Sequence, residues 1–282
     1  MIVLYIFFAL IAVCILLVLY LMKPNQKRDL RPFLGRRFAH RGLPTGSGRI
    51  PENSPAAFKA AAEAGYGVEL DVRHTQDHYL VVFHDSDLKR MCGIDKKVRE
   101  CTWEELKQYP LLNSTETIPL FADVLRLMGT LPIICEIKVE FQNDVPSLCR
   151  DTLHQIQNHH GPVCIQSFHP LIPGWFRKNA PHIIRGQLSS KFTKKDGKSY
   201  LGRFMQNHLL FNFLGRPDYV AYNQNCVDVW GFRFCRKFFH VSTIGWTFRS
   251  IEKENSVGKA WFDSYIFERY VPESSKIHSK QS

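Results

Sequence analysis

The chain has 282 residues, of which 45% are hydrophobic and 22% charged, and it carries a formal charge of +11. Those fractions belong to an ordinary globular protein and exclude both a mainly disordered chain and a multi-span membrane protein. The excess of positive charge suits an acidic partner such as a phosphate ester or an anionic membrane surface. Nucleic acid is not favoured, because the basic residues are scattered and no helix–turn–helix or zinc motif is present.

In chain order, Met1–Met22 contains no charged residue. As a helix it would span roughly 33 Å, enough for the hydrocarbon core of a bilayer. No Lys or Arg precedes the apolar run and no small-residue cleavage site follows it, so it reads as an uncleaved single-pass transmembrane anchor. Lys23, Lys27, Arg28 and Arg31 follow directly, which predicts that the rest of the chain is cytoplasmic. Residues 23–36 read as a basic linker that would hold the domain mouth near the membrane. The folded domain is expected over 37–272, and 273–282 as a polar tail. Eight cysteines without CxxC spacing support neither a zinc ribbon nor a redox motif, and those inside apolar runs read as buried hydrophobes.

Eight strands are predicted at 37–40, 66–72, 79–84, 131–138, 163–168, 183–188, 219–223 and 241–248. Helical patterns lie between them at 53–64, 120–128, 145–159, 170–179, 200–214 and 227–239. The first has Asn53 or Ser54 as its N-cap, Pro55 just inside, and Gly65 at its end. This α/β alternation predicts a (β/α)₈ TIM barrel preceded by one transmembrane helix, with a doubly wound sheet as the competing fold. Residues 191–214 exceed a simple connector and read as a rim insertion; its aromatic part is core or an exposed patch beside the site.

Chemistry-bearing residues gather at the predicted strand ends. His40 and Arg41 end the first, Glu69 and Asp71 lie near the end of the second, His84 and Asp85 end the third, and Glu136 and Lys138 end the fourth. Residues two apart on a strand share a face, and strand ends form the active-site mouth of such a barrel. Three converging carboxylates, Glu69, Asp71 and Glu136, would repel one another without a cation. Their oxygen-only donor set favours one divalent ion, Ca²⁺ or Mg²⁺. His40 and His84 are then free for acid and base work, and Arg41 and Lys138 for phosphate oxygens. His74 and His78 flank a turn and read as surface polarity, and His159–His160 as complementing a helix end.

The ordered set HRG (40–42), PENS (51–54), ELDVRHTQD (69–77), VVFHDSDLKR (81–90), EIK (136–138), QSF (166–168) and GWT (245–247) resembles the glycerophosphodiester phosphodiesterase family. The resemblance runs from about Phe38 to the terminal DSYIFERYVP. It implies a (β/α)₈ barrel that hydrolyses glycerophosphodiesters to an alcohol and glycerol 3-phosphate. By the same resemblance His40 and His84 are catalytic, Glu69, Asp71 and Glu136 hold the metal, and Arg41 and Lys138 contact substrate. The implied reaction uses the substrate's own 2-hydroxyl and passes through a cyclic phosphate. The chain departs from the family pattern at His78, where glycine is usual, at Arg249 in place of asparagine, and at Phe267-Glu268 where the last strand usually ends in Thr-Asp.

Rival readings keep or discard the chemistry. A lysophospholipase D would apply the same site to membrane lysophospholipids. A catalytically inactive barrel would only bind lipid or a partner. A helical HD-type phosphohydrolase, suggested by His84-Asp85, conflicts with the β-branched run before that dipeptide.

Overall fold

A computed structural model describes residues 1–25, 27–44 and 49–277. Its nine strands are β1 (Arg37–His40), β2 (Gly67–His74), β3 (Leu80–Val82), β4 (Ile133–Ile137), β5 (Val163–Ser167), β6 (Arg185–Ser189), β7 (Tyr219–Asn223), β8 (Ser242–Phe248) and β9 (Ser264–Phe267). Eight of them run parallel, and β9 pairs with β1, which in turn pairs with β2. The sheet therefore closes on itself, as the TIM-barrel prediction requires, and the doubly wound alternative is excluded.

The set of barrel strands differs from the predicted one. Residues 79–84 do not supply a barrel strand, because β3 folds back antiparallel on β2 with Val72 opposite Val82. Only residues 75–79 separate β2 from β3, and a parallel neighbour needs a crossover of a dozen residues or more. The eighth barrel strand is β9, which the strand count lacked. It has only four residues, so it offers little pattern to read. The helical stretch predicted over 200–214 is broken into Tyr200–Asn207 and Asn212–Gly215, with Leu209 at φ 59 in the turn between them.

Three apolar clusters hold the fold. Phe38, Ile134, Cys164, Leu188, Tyr219, Ile244 and Ile266 fill the barrel interior together with Phe33. A larger layer lies between barrel and helices. A third cluster, including Val81, Phe83, Leu88, Met91, Leu106, Leu111 and Ile118, sits under the excursion between β2 and β4.

Local signals set the helix starts. Ser54 precedes the helix Pro55–Glu63 in extended conformation, and its Oγ accepts from the Ala57 N–H at 3.1 Å. Ser54→Ala is expected to cost about 1 kcal/mol of stability, read from the urea midpoint. An unchanged midpoint would assign the helix start to Pro55 alone.

The N-terminal helix Ile2–Met22 is apolar all round and long enough to cross a membrane, and its body is exposed. Its last turn is built into the domain. Met22 is buried, Asn212 Nδ2 donates to the Met22 carbonyl at 3.0 Å, and Arg216 Nη1 donates to the Tyr20 and Lys23 carbonyls. The residues that follow run along the strand-start end of the barrel. Asn25 N–H donates to the Pro217 carbonyl just before β7, and Gly35 N–H to the Asp263 carbonyl just before β9. This attachment lies opposite the strand ends, so it does not place the barrel mouth at the membrane as the linker's sequence position suggested.

Candidate active site

The strand ends of β1, β2 and β4 bring the expected residues together. Glu69 and Asp71 lie on β2, and Asp71 is the register partner of Glu136 on β4. Oxygens of Glu69, Asp71 and Glu136 all lie within 4.8 Å of one another, and all three residues are buried. Lys138 follows β4, and its Nζ lies 2.6 Å from Glu136 Oε1 and 3.1 Å from Asp71 Oδ1. Arg41 Nε lies 3.4 Å from Asp71 Oδ2. Arg41 and Gly42 both take positive φ, and a side chain on Gly42 would meet the backbone of Ala57 at 2.7 Å. The HRG turn therefore needs glycine to fit against the helix Pro55–Glu63.

Each histidine has a carboxylate behind its Nδ1. His40 Nδ1 lies 2.6 Å from Glu268 Oε2, while its Nε2 faces Glu69 at 3.8 Å. His84 Nδ1 lies 2.7 Å from Asp85 Oδ1. A carboxylate there fixes ring orientation and leaves Nε2 for a reacting group. His84 reaches the mouth on the antiparallel excursion rather than on a barrel strand. It is held there by Arg73, whose Nε and Nη2 donate to its carbonyl at 3.0 and 2.7 Å.

The charges are strongly coupled. Burial, reinforced by Asp71 and Glu136, pushes the Glu69 carboxyl well above the ordinary range. Burial, against the pull of Lys138, also raises Glu136. At Asp71 the burial effect is outweighed by Lys138 and Arg41, which hold the carboxyl well below the usual range. Burial, then Lys138 and Arg41, outweigh Asp71 at His84 and pull its imidazole down to about 4. Against its own burial, Glu268 is held down to about 2 by His40 and Arg249, so it stays ionised.

The residues fit a hard divalent cation. The donors are carboxylate oxygens, Lys138 and Arg41 together do not offset three buried acids, and Glu69 Oε2 is buried without a hydrogen-bond partner. Burial pushes the Glu69 carboxyl up, and a divalent ion at that oxygen would favour its ionised form.

Several contributors were not assigned roles from sequence. Asn53 lies in the PENS segment, is buried at φ 56, and donates from Nδ2 to Asp71 Oδ2 at 3.1 Å. Glu52 of the same segment bridges Arg41 and Arg90, each at 2.6 Å. Phe168 and Trp246 form an aromatic wall, their rings 5.6 Å apart, with Lys138 Nζ 6.0 Å from the Phe168 ring. Of the aromatic 204–214 segment, Phe204 is exposed, whereas Leu209 and Leu210 are core.

Similar proteins share both sequence and fold. The model of the glycerophosphoryl diester phosphodiesterase family matches residues 40–248. A glycerophosphodiester phosphodiesterase of Bacillus altitudinis is 35% identical over 158 residues, covering 52% of this chain and 63% of that protein. A lysophospholipase D of Rattus norvegicus is 30% identical, covering 55% of this chain and 52% of that one. The chain thus spans less than two thirds of the length of these curated relatives. Among solved structures, an Oleispira antarctica phosphodiesterase in complex with its product sn-glycerol-3-phosphate superposes with a TM-score of 0.67 at 20% identity, covering 85% of this chain and 95% of that one. A glycerophosphodiester phosphodiesterase of Thermotoga maritima does so with 0.62 at 25% identity, covering 82% and 93%. With the family model matched across most of the barrel, from His40 on β1 to Phe248 on β8, the chain belongs to the glycerophosphoryl diester phosphodiesterase family.

Proposed function

We propose that the protein is a metal-dependent phosphodiesterase that hydrolyses glycerophosphodiesters to an alcohol and sn-glycerol 3-phosphate. The observation that carries this reading is the buried Glu69, Asp71 and Glu136 trio sharing one mouth with two carboxylate-backed histidines and two cations. A Ca²⁺ or Mg²⁺ ion held by the trio would acidify the substrate's 2-hydroxyl and offset phosphate charge. Arg41 and Lys138 are placed to orient the phosphate. One of His40 and His84 takes the 2-hydroxyl proton as that oxygen attacks phosphorus, and the other protonates the departing alcohol. Water then opens the cyclic phosphate with the two proton transfers reversed.

Purified protein is expected to release glycerol 3-phosphate from glycerophosphocholine with added Mg²⁺ or Ca²⁺ and to stop in strong chelator. Full turnover in chelator would remove the metal from the mechanism. No release of the alcohol head group from any member of a glycerophosphodiester and lysolipid panel would leave the inactive, binding-only barrel.

A second reading, lysophospholipase D, is supported by a groove of about 860 Å³ that starts at Glu268 and is lined by Leu43, Pro51, Met91, Leu112 and Val271. Glu52, Arg90 and Arg269 also line it, so an acyl chain would lie along its apolar side. Faster hydrolysis of lysophosphatidylcholine than of glycerophosphocholine in the same panel would favour it.

We read the N-terminal helix as a retained single-pass anchor with the barrel on the cytoplasmic side. The buried Met22 and the basic residues after it support this reading.

A further inference from the structure

Among the described residues, two groups of metal-ligating side chains come together, and the second lies outside the site above. It consists of His74 at the end of β2, His78 in the β2–β3 turn, and Asp151 in the helix Val145–Gln157. One ligand atom from each lies within 4.8 Å of the other two. We propose that His74, His78 and Asp151 form a second metal site, for Zn²⁺ or a similar borderline transition ion. It would pin the hairpin that leads to His84 onto that helix.

Three observations carry this beyond a chance cluster. The first is His78, a non-glycine residue at φ 62. Glycine is the default occupant of this left-handed conformation, and histidine is among the few other residues that adopt it with any frequency. A histidine kept there places an imidazole 5.2 Å from that of His74, ring centre to ring centre.

The second is the His74–Asp151 pair. Nε2 lies 2.9 Å from Asp151 Oδ2, so two of the three donors are already adjacent across the β2–helix junction.

The third is the donor set. Two imidazoles and a carboxylate match the three-ligand sets of zinc, with a fourth position left for water. That set is softer than the all-carboxylate trio, so the two sites differ in preferred ion. Nearby Arg73 and Arg99 are turned toward Glu140, at 3.2 and 3.4 Å, rather than toward Asp151. Ligands in a tetrahedral zinc site stand ~3.3 Å apart, so closure from 4.8 Å needs only a small swing of the exposed His78.

The test is calorimetric titration of the full chain with ZnCl₂ in saturating Mg²⁺, which keeps the carboxylate trio filled. The expected result is one equivalent of tightly bound Zn²⁺ that raises the melting temperature. His78→Gly should weaken it by more than about 10-fold, the scale on which even outer-shell losses act. Glycine suits φ 62, so this variant without zinc should melt no lower than wild type. Asp151→Asn should also weaken binding, and Asp71→Asn should leave it intact. Absence of a tight equivalent in wild type, or loss with Asp71→Asn but not with His78→Gly, would overturn the proposal. Because the readout is metal uptake, failure of the phosphodiesterase reading would not affect this outcome.

Discussion

Replacement of either His40 or His84 by alanine is expected to lower turnover by about 10²-fold or more, the usual cost of removing a general acid or base. The fold should survive both changes, because the carboxylate behind each Nδ1 keeps an arginine partner. Without His40, Glu268 keeps Arg249 as a partner. Without His84, Asp85 keeps Arg90, whose Nε lies 2.6 Å away. The measurement is initial rate of glycerol 3-phosphate release, with thermal melting of each variant as the control for structure. Near wild-type turnover in one variant, with an unchanged melt, would remove that histidine from the proton transfers.

Lys138→Met should have the largest effect on stability. Its ammonium is the closest cation to both Asp71 and Glu136, and both carboxylates are buried. Methionine keeps the length of the side chain and deletes the charge. In chelator, breaking such a buried pair should cost about 3–5 kcal/mol. Added divalent cation should recover much of this, since it supplies positive charge to the same oxygens. Turnover should stay low even when stability returns, because the phosphate contact is lost.

The pH dependence follows from the carboxyl groups. Removal of Lys138 raises the folded-state pKa of Asp71 from below the ordinary carboxyl value and that of Glu136 from already above it. The unfolded chain titrates alike in both proteins, so the loss is smallest in acid and grows as pH rises through the folded-state values, starting below about 4 for Asp71 and above it for Glu136. Melting in chelator across that range checks the sign. A loss that is independent of both pH and cation would mean that Lys138 acts through packing alone.

Much of the site is legible in the sequence because its parts sit at fixed spacings on strands. Glu69 and Asp71 are two apart on β2, as are Glu136 on β4 and Lys138 just beyond it, so a shared face follows from the strand period. His84 lies beside Asp71 although the strand before it is not a barrel strand. The residue order alone puts it next to β2, whichever way the chain turns. Other members depend on long-range closure that no local pattern encodes. Glu268 becomes the partner of His40 only because β9 closes the barrel against β1. Asn53 meets Asp71 across the HRG–PENS loop, where a left-handed backbone takes the place of any readable periodicity. His74 and His78 look like turn polarity until the helix Val145–Gln157, some seventy residues on, brings Asp151 beside them.

The excursion between β2 and β4 divides the proposed catalytic pair between two structural units. His40 belongs to the closed ring of parallel strands, whereas His84 rides on a flap with its own small apolar cluster. The seam is crossed by the β2–β3 ladder, by Leu80 and Val82 packed into the larger apolar layer, and by contacts such as Phe83 N–H to the Asp71 carbonyl at 2.9 Å and Arg90 Nη2 to Glu52 at 2.6 Å. Contiguous units of this kind open with their own free energies, below that of global unfolding. Opening of the flap withdraws one proton-transfer group from the carboxylate trio while the ring stays intact. Where the flap opens below the global transition, loss of the proposed activity would be a report on the flap rather than on the barrel.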